Sequence, residues 1–469
     1  MVGIVAYGAY VPLSRLGPGT NGWSYRTERA VASYDEDSIT MAVAAAINCL
    51  GSRDRDQIDA LYFASTSSPY VEKQGATLVA TAADLRRQVF TADMTNSLRA
   101  ATIALKTATD SVKAGSARQA LVAAADLRLA QPRSGFEPVV GDGAAALVIG
   151  DSDVAVEIVD SYSVSDELLD VWRSEGDRFI RSWEDRFILE EGYLKIVPEV
   201  VGTLLSRNKL SAKDFARAVF YAPESRRHGE MARMLGFDVK TQVQDPMAFT
   251  LGNSGAAYTL MMLTAALDAA KPGDRILLAN YGNGADAFIL QVTDKIDKAR
   301  ASHSIDSYLN TKRVMEDYQT YARWRGLLDM APAARRPPLE VPSAVAIWRE
   351  RDQNLRLHGV RCQSCGYPQF PRQRVCTRCH TKDQFEPVRF SDKGAILFTY
   401  SFDYLGPTLE PPLVISVINF DGGGRMVAEM TDRDLKQVKI NMPLEMTFRR
   451  LHTVDGIHNY YWKCMPVRA

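Results

Sequence analysis

Four cysteines stand in two pairs, Cys362–Cys365 and Cys376–Cys379, each a CxxC, with ten residues between the pairs. A CxxC turn aims two thiolates at one point, and two such turns close a tetrahedron around Zn²⁺. Gly366 and Pro368 follow the first pair and Pro371 precedes the second, as tight knuckles require. Four thiolates leave no open position, so the predicted zinc is structural and folds its own domain. His380, next to the last cysteine, is then a bystander. A second stretch, Asp93–Thr102, reads as the end of a strand, a polar turn and the start of a helix. Helix N-termini present free N–H groups and suit a nucleophile that develops negative charge. The tip of this turn, however, carries Ser97 and Leu98, and Leu98 can do neither nucleophilic nor acid–base chemistry. Three further polar positions stand at expected strand ends and turns. Tyr221 follows Ala218-Val219-Phe220, Asn253 precedes a helix, and Asn280-Tyr281 closes a buried strand. His228 and His303 have no partners in sequence and read as surface histidines, and Cys49 reads as a buried structural thiol. No HExxH, Walker A or dinucleotide-binding glycine fingerprint occurs.

The elements that must position these residues belong to a large soluble chain. Its 469 residues are 46% hydrophobic and 24% charged, with 56 basic and 56 acidic side chains. A balanced charge gives no support for nucleic-acid or anionic-membrane binding. No apolar run reaches transmembrane length and the N-terminus lacks a signal-peptide layout, so a cytoplasmic protein is expected.

Val2–Tyr10, Ala60–Ala64, Val89–Ala92 and Ala120–Ala125 are short apolar runs with the character of buried strands. Helical spacing separates them at Ser38–Leu50, Thr77–Arg87 and Leu98–Ala114. The order then recurs. Asn96-Ser97-Leu98-Arg99-Ala100 is echoed by Asn253-Ser254-Gly255-Ala256-Ala257, again opening a long helix, Ala256–Ala270. The glycine-led strand beginning Gly141-Asp142-Gly143 is echoed by Gly282-Asn283-Gly284. One supersecondary unit is thus used twice, which predicts a duplicated α/β fold of buried sheets covered by helices. Two halves are expected at 1–150 and 151–328, the second with a charged helical tail from Asp297 to Leu328. A proline-rich linker with two adjacent arginines follows at 329–342. Next come a helix plus zinc ribbon at 343–384 and, at 385–469, about five short alternating strands that suit a small β-barrel of the OB type.

These motifs resemble known families. Ser68-Pro69-Tyr70 with Lys73, Ala100-Ala101-Thr102, Gly141-Asp142-Gly143-Ala144, Gly252-Asn253-Ser254, Tyr281-Gly282-Asn283-Gly284 and the wording YxxYARWRG at Tyr318–Gly326 resemble the thiolase superfamily. The likeness is to the short archaeal-type 3-hydroxy-3-methylglutaryl-CoA synthases and their ketoacyl-synthase-III-like relatives. Ala346–Gly366 resembles the zinc-ribbon/OB-fold proteins that partner thiolase-like acyl-CoA enzymes. The resemblance implies a layered αβαβα fold, a coenzyme A thioester as substrate and a homodimer.

It also implies a Glu, Cys and His as catalytic groups. Without gaps these fall on Thr66, Leu98 and Tyr221, so all three are replaced, and Leu98 cannot carry an acyl group. The expectation drawn is a carbon–carbon lyase of aldolase type on a β-hydroxyacyl-CoA. Tyr221 would be its acid or base, Asn253 a thioester donor and Tyr281 a second contact. The alternatives are a non-catalytic scaffold for a cysteine-bearing thiolase-like subunit and a synthase-like condensing enzyme or acyltransferase using Ser97.

Overall fold

The computed structural model describes residues 1–328, 341–406 and 408–468. Most of the expected linker at 329–342 therefore lies outside the described residues. The chain divides into two compact units. The first is Met1–Ala32, Asp37–Ala80 and Leu85–Tyr318, and the second is Ser33–Glu36, Thr81–Asp84 and Gln319–Ala469.

The first unit is built on one nine-stranded sheet. Its order is Arg217–Phe220, Arg275–Tyr281, Gly284–Val292, Val156–Ser165, Gly3–Tyr10, Gly143–Gly150, Gln119–Asp126, Ile58–Ala64 and Phe90–Met94. The duplication is visible in the pairing. Ile58–Ala64 runs parallel to Gln119–Asp126, which is antiparallel to Gly143–Gly150. In the same way Arg217–Phe220 runs parallel to Arg275–Tyr281, which is antiparallel to Gly284–Val292. The halves join where Gly3–Tyr10 pairs antiparallel with Val156–Ser165. Gly3–Tyr10 and Gly143–Gly150 are buried along their whole length. That is why they read as continuous apolar runs and not as alternating strands.

Helices start where the sequence supplies anions or caps. Asp37 accepts from the Thr40 amide at 3.0 Å to open Ser38–Leu50. Asp93 accepts from the Gly75 and Ala76 amides, both at 2.7 Å, and opens Gly75–Ala82. The two helices expected to start at the echoed turns are Ala100–Lys113 and, after a 3₁₀ turn at Gly255–Ala257, Tyr258–Asp268. The charged tail is not one helix. It breaks into Ile296–Ala299, Ile305–Asn310 and Tyr318–Trp324, and the second break is where Arg313 and Val314 pair with Ser14 and Arg15.

In the second unit, His358–Cys362 lies between Pro368–Gln369 and Phe385–Arg389, and five strands close a barrel. These are Ala395–Asp403, Leu413–Phe420, Arg425–Met430, Ile457–Pro466 and Pro443–Val454. The architecture is thus the expected thiolase-like α/β fold with a zinc ribbon and an OB-type barrel. One ion cluster stands inside the second unit. Arg449, fully buried, meets Asp35 at 3.2 Å, Glu36 at 2.9 Å and Asp432 at 2.6 Å, while Lys463 meets Asp35 at 3.1 Å. Burial alone pushes the Asp35 carboxyl up, yet Lys463 and Arg449 outweigh it and hold the group at about 2. Among the described residues no helix is long and apolar enough to cross a membrane.

Candidate active site

Each central helix of the first unit is pinned by strand ends from the other half. The start of Ala100–Lys113 is held from the second half. Arg99 meets Asp286 at 3.0 Å and the Thr102 hydroxyl donates to Asp286 at 2.7 Å. Asn280 Nδ2 donates to the Leu98 carbonyl at 3.2 Å. A Cβ on Gly282 would stand 3.0 Å from Leu98 Cβ, so the backbone there approaches as closely as only glycine allows. Leu98 is half-buried at this turn. Ser97 does not offer a free hydroxyl, since its Oγ donates to the Gly282 carbonyl at 3.1 Å.

The turn opening the second helix is held from the first half by Asp126. This fully buried carboxylate accepts from Ser65 Oγ at 3.0 Å, the Thr66 amide at 2.7 Å and Thr66 Oγ1 at 2.8 Å. It also accepts from Ser67 Oγ and the Ala256 amide, both at 2.7 Å. Five donors satisfy it. Thr66 therefore turns its side chain into the protein's own framework. Gly255 (φ 60°) must be glycine, because a Cβ there would lie 2.2 Å from Asp126 Oδ2.

Tyr221 and Asn253 are brought together. Tyr221 continues the strand Arg217–Phe220, its amide donating to the Ala279 carbonyl at 3.0 Å. Asn253 is fixed on both sides: its amide donates to Val139 at 2.7 Å, and its carbonyl accepts from Gly141 at 3.0 Å. Its Oδ1 accepts from the Gly255 amide at 3.0 Å, which leaves Nδ2 to donate to the Tyr221 oxygen at 3.2 Å. Both residues are buried. Burial pushes the Tyr221 phenol up to about 12, against the opposing field of the Arg128 guanidinium. At neutral pH Tyr221 is thus an O–H donor and not a base.

Tyr281 is a different case. It packs against Tyr193 and Tyr221, with ring centroids at 5.6 and 6.3 Å. Burial pushes its phenol well up, and its hydroxyl is bonded to Asp170. Tyr193 and Tyr258, which drew no attention in sequence, complete the aromatic wall. Their hydroxyls donate to the Tyr221 carbonyl at 2.8 Å and the Pro246 carbonyl at 2.5 Å. A cleft of about 260 Å³ opens beside the pair, lined by Asn253, Tyr258, Thr27, Val139, Phe249, Ser225 and Arg226 among others. His228 is a correction. It is buried and not on the surface, stacked on Phe220 with ring centroids 4.5 Å apart, because the apolar side of its helix packs on that strand.

The four cysteines converge as expected. Cys362 Sγ lies 3.6 Å from Cys379 Sγ, as Cys365 Sγ does from Cys376 Sγ, and all four sulfurs fall within 4.8 Å of one another. Zn–S bonds of about 2.3 Å in a tetrahedron put sulfurs about 3.8 Å apart, so the set fits Zn²⁺.

Three family models match parts of the chain. Residues 92–167 match the 3-oxoacyl-(acyl-carrier-protein) synthase III family. Residues 349–386 match the rubredoxin-like zinc ribbon domain of ChsH2, and 388–449 its C-terminal OB-fold domain. Hydroxymethylglutaryl-CoA synthase of Pyrococcus horikoshii is 34% identical over 337 residues, covering 69% of this chain and 96% of the relative. That of Methanopyrus kandleri is 35% identical over 341 residues, covering 69% and 97%.

The chain belongs to the hydroxymethylglutaryl-CoA synthase family. Solved structures share its fold. An HMG-CoA synthase complexed with CoA has a TM-score of 0.60 at 18% identity, covering 67% of this chain and 88% of that one. The 3-oxoacyl-(acyl-carrier-protein) synthase III of Aquifex aeolicus has a TM-score of 0.55 at 21% identity, covering 62% and 100%. Membership overturns one expectation. The relatives are synthases, condensing enzymes of the transferase class, so the reading as a carbon–carbon lyase of aldolase type is withdrawn.

Proposed function

We propose that this chain binds an acyl-CoA thioester at the Tyr221–Asn253 pair and takes part in condensing chemistry without forming an acyl-enzyme of its own. The observation that carries the reading is the hydrogen bond from Asn253 Nδ2 to the Tyr221 oxygen at 3.2 Å. With that oxygen accepting from Asn253, the phenol proton is free to donate elsewhere. A thioester carbonyl gaining negative charge is the kind of group two buried neutral donors stabilise. Leu98 supports the absence of a covalent step, since the family's nucleophile position holds a hydrocarbon. Thr66 supports it as well, since its hydroxyl is bonded to Asp126 and is a poor base. The relative solved with CoA gives the thioester its chemical class.

Calorimetric titration of the full chain with acetyl-CoA tests this. Saturable binding that weakens in Tyr221→Phe supports it, and no heat of binding, or unchanged affinity in the variant, removes it. Leu98 also favours a second reading, in which the acyl-enzyme step belongs to a cysteine-bearing family member and this chain is the binding half. Condensing activity that appears only when such a subunit is added would select that reading.

A further inference from the structure

Tyr221 keeps its proton at neutral pH and the Thr66 hydroxyl is tied to Asp126, so neither can take a proton from a bound ligand. A carboxylate stands close by. Asp170 lies at the start of a short hairpin, Val171–Trp172 against Arg181–Ser182, and accepts from the Tyr281 hydroxyl. Its field also acts on the Tyr221 phenol.

The backbone is held on both sides of Asp170. Before it, the Leu169 carbonyl accepts from Trp183 Nε1 at 3.2 Å, and Trp183 packs edge-on against Trp172 with ring centroids 6.4 Å apart. Leu168 reaches Gly192, where a Cβ would stand 2.7 Å from Leu168 Cδ2 and 2.2 Å from the Tyr281 oxygen. After it, Arg173 donates to the Thr66 carbonyl. The hairpin is therefore fastened to the position onto which the family's glutamate falls. Two other carboxylates near the pair are committed elsewhere. Asp126 is satisfied by its five donors, and Glu224, which lines the cleft, is exposed and meets Arg227 at 3.2 Å. Asp170 is half-buried, and burial pushes its carboxyl up while the Tyr281 hydroxyl and Arg128 pull it down, with a net rise. A carboxyl with raised proton affinity is the stronger base once ionised.

We propose that Asp170 is the catalytic base that removes a proton from the carbon next to the thioester carbonyl. The inference rests on the reading of Tyr221 and Asn253 as the thioester site. The C–H bond breaks, its proton moves to the Asp170 carboxylate, and its electron pair forms the carbon–carbon double bond of an enolate. The negative charge arrives on the thioester oxygen, where the two neutral donors stabilise it. Return of the proton restores both ligand and carboxylate. The step uses no nucleophile, so it is open to a chain that carries Leu98.

The test is proton NMR of the acetyl-CoA methyl group in D₂O with the full chain, at saturating acetyl-CoA. Wild type is expected to replace methyl protons by deuterium, because Asp170 trades its proton with solvent and returns a deuteron. Asp170→Asn should slow this exchange at least about 100-fold. Exchange by wild type should rise with pH as Asp170 ionises. In Tyr281→Phe that rise should move to higher pH, since the lost hydroxyl favoured the ionised carboxylate. Exchange retained in Asp170→Asn overturns the proposal. So does loss of binding and exchange together in that variant with the Tyr281→Phe profile unmoved, which marks a structural residue. Wild type that binds acetyl-CoA without exchanging it overturns the proposal with no variant needed. No binding of acetyl-CoA removes the thioester reading itself, and this inference with it.

Discussion

The cysteine knuckle and the Tyr221–Asn253 turn are both polar clusters held by loops, and they differ in what is left over. Four thiolates around one metal leave no position open, so the knuckle can only hold its own chain together. At the turn, one part is equally closed: Asp126 is satisfied by five donors and ties Ser65, Thr66, Ser67 and Ala256 into a frame. Standing on that frame, the Tyr221 hydroxyl keeps a proton to donate. Closed clusters build, and open ones bind. The distinction rests on hydrogen-bond inventory and not on residue type.

The largest effect should come from opening the closed metal site. Chelation, or Cys376→Ser, removes metal-binding free energy on the order of 10 kcal/mol. Limited proteolysis should then cut the ribbon around 358–389 rapidly while the nine-stranded unit resists. Equal resistance of the ribbon with and without metal would refute a structural zinc. Next is Asp126→Ala, which strands five donors at once. It should cost about 3–5 kcal/mol in denaturant unfolding, against about 1 kcal/mol or less if the carboxylate were a ligand-binding group held in reserve.

A third effect belongs to high pH. The Tyr221 phenol stands at about 12 when folded against an ordinary value near 10, so the folded chain keeps a proton that the unfolded chain gives up. The stabilisation is whole below pH 10 and is lost as pH rises towards 12, about 2–3 kcal/mol for a shift of this size. Tyr193, Tyr258 and Tyr281, also pushed up by burial, act in the same direction. Denaturation midpoints followed from pH 8 to 11 should fall more steeply for wild type than for Tyr221→Phe. The smallest effect is Asn253→Ala, expected to weaken acyl-CoA binding about tenfold with the fold intact by circular dichroism. A loss confined to stability, with affinity unchanged, would move Asn253 into the closed class.

Much of this was legible in residue types. The CxxC pairs named both the metal and its structural role, and the echoed turns at Asn96 and Asn253 announced the duplication that the strand order displays. Tyr221 and Asn253 were legible as polar residues at a strand end and a turn. Their mutual hydrogen bond was not, because Asn253 is held in place by Val139 and Gly141, which are remote from it in sequence. His228 was misread as exposed because it had no partner in sequence, and only packing on Phe220 shows which side of its helix is covered. The lyase expectation failed for another reason: it was drawn from missing catalytic residues, and an absence constrains a mechanism without selecting one.

The central claim is that the site holds a thioester and forms no bond to it. Acyl-labelled acetyl-CoA, incubated with the chain and passed through gel filtration both natively and after acid denaturation, tests this directly. The label should travel with the native protein and be released completely on denaturation. Label that stays on the denatured chain would mean an acyl-enzyme exists despite Leu98, and label absent from the native chain would mean that the site does not bind the thioester.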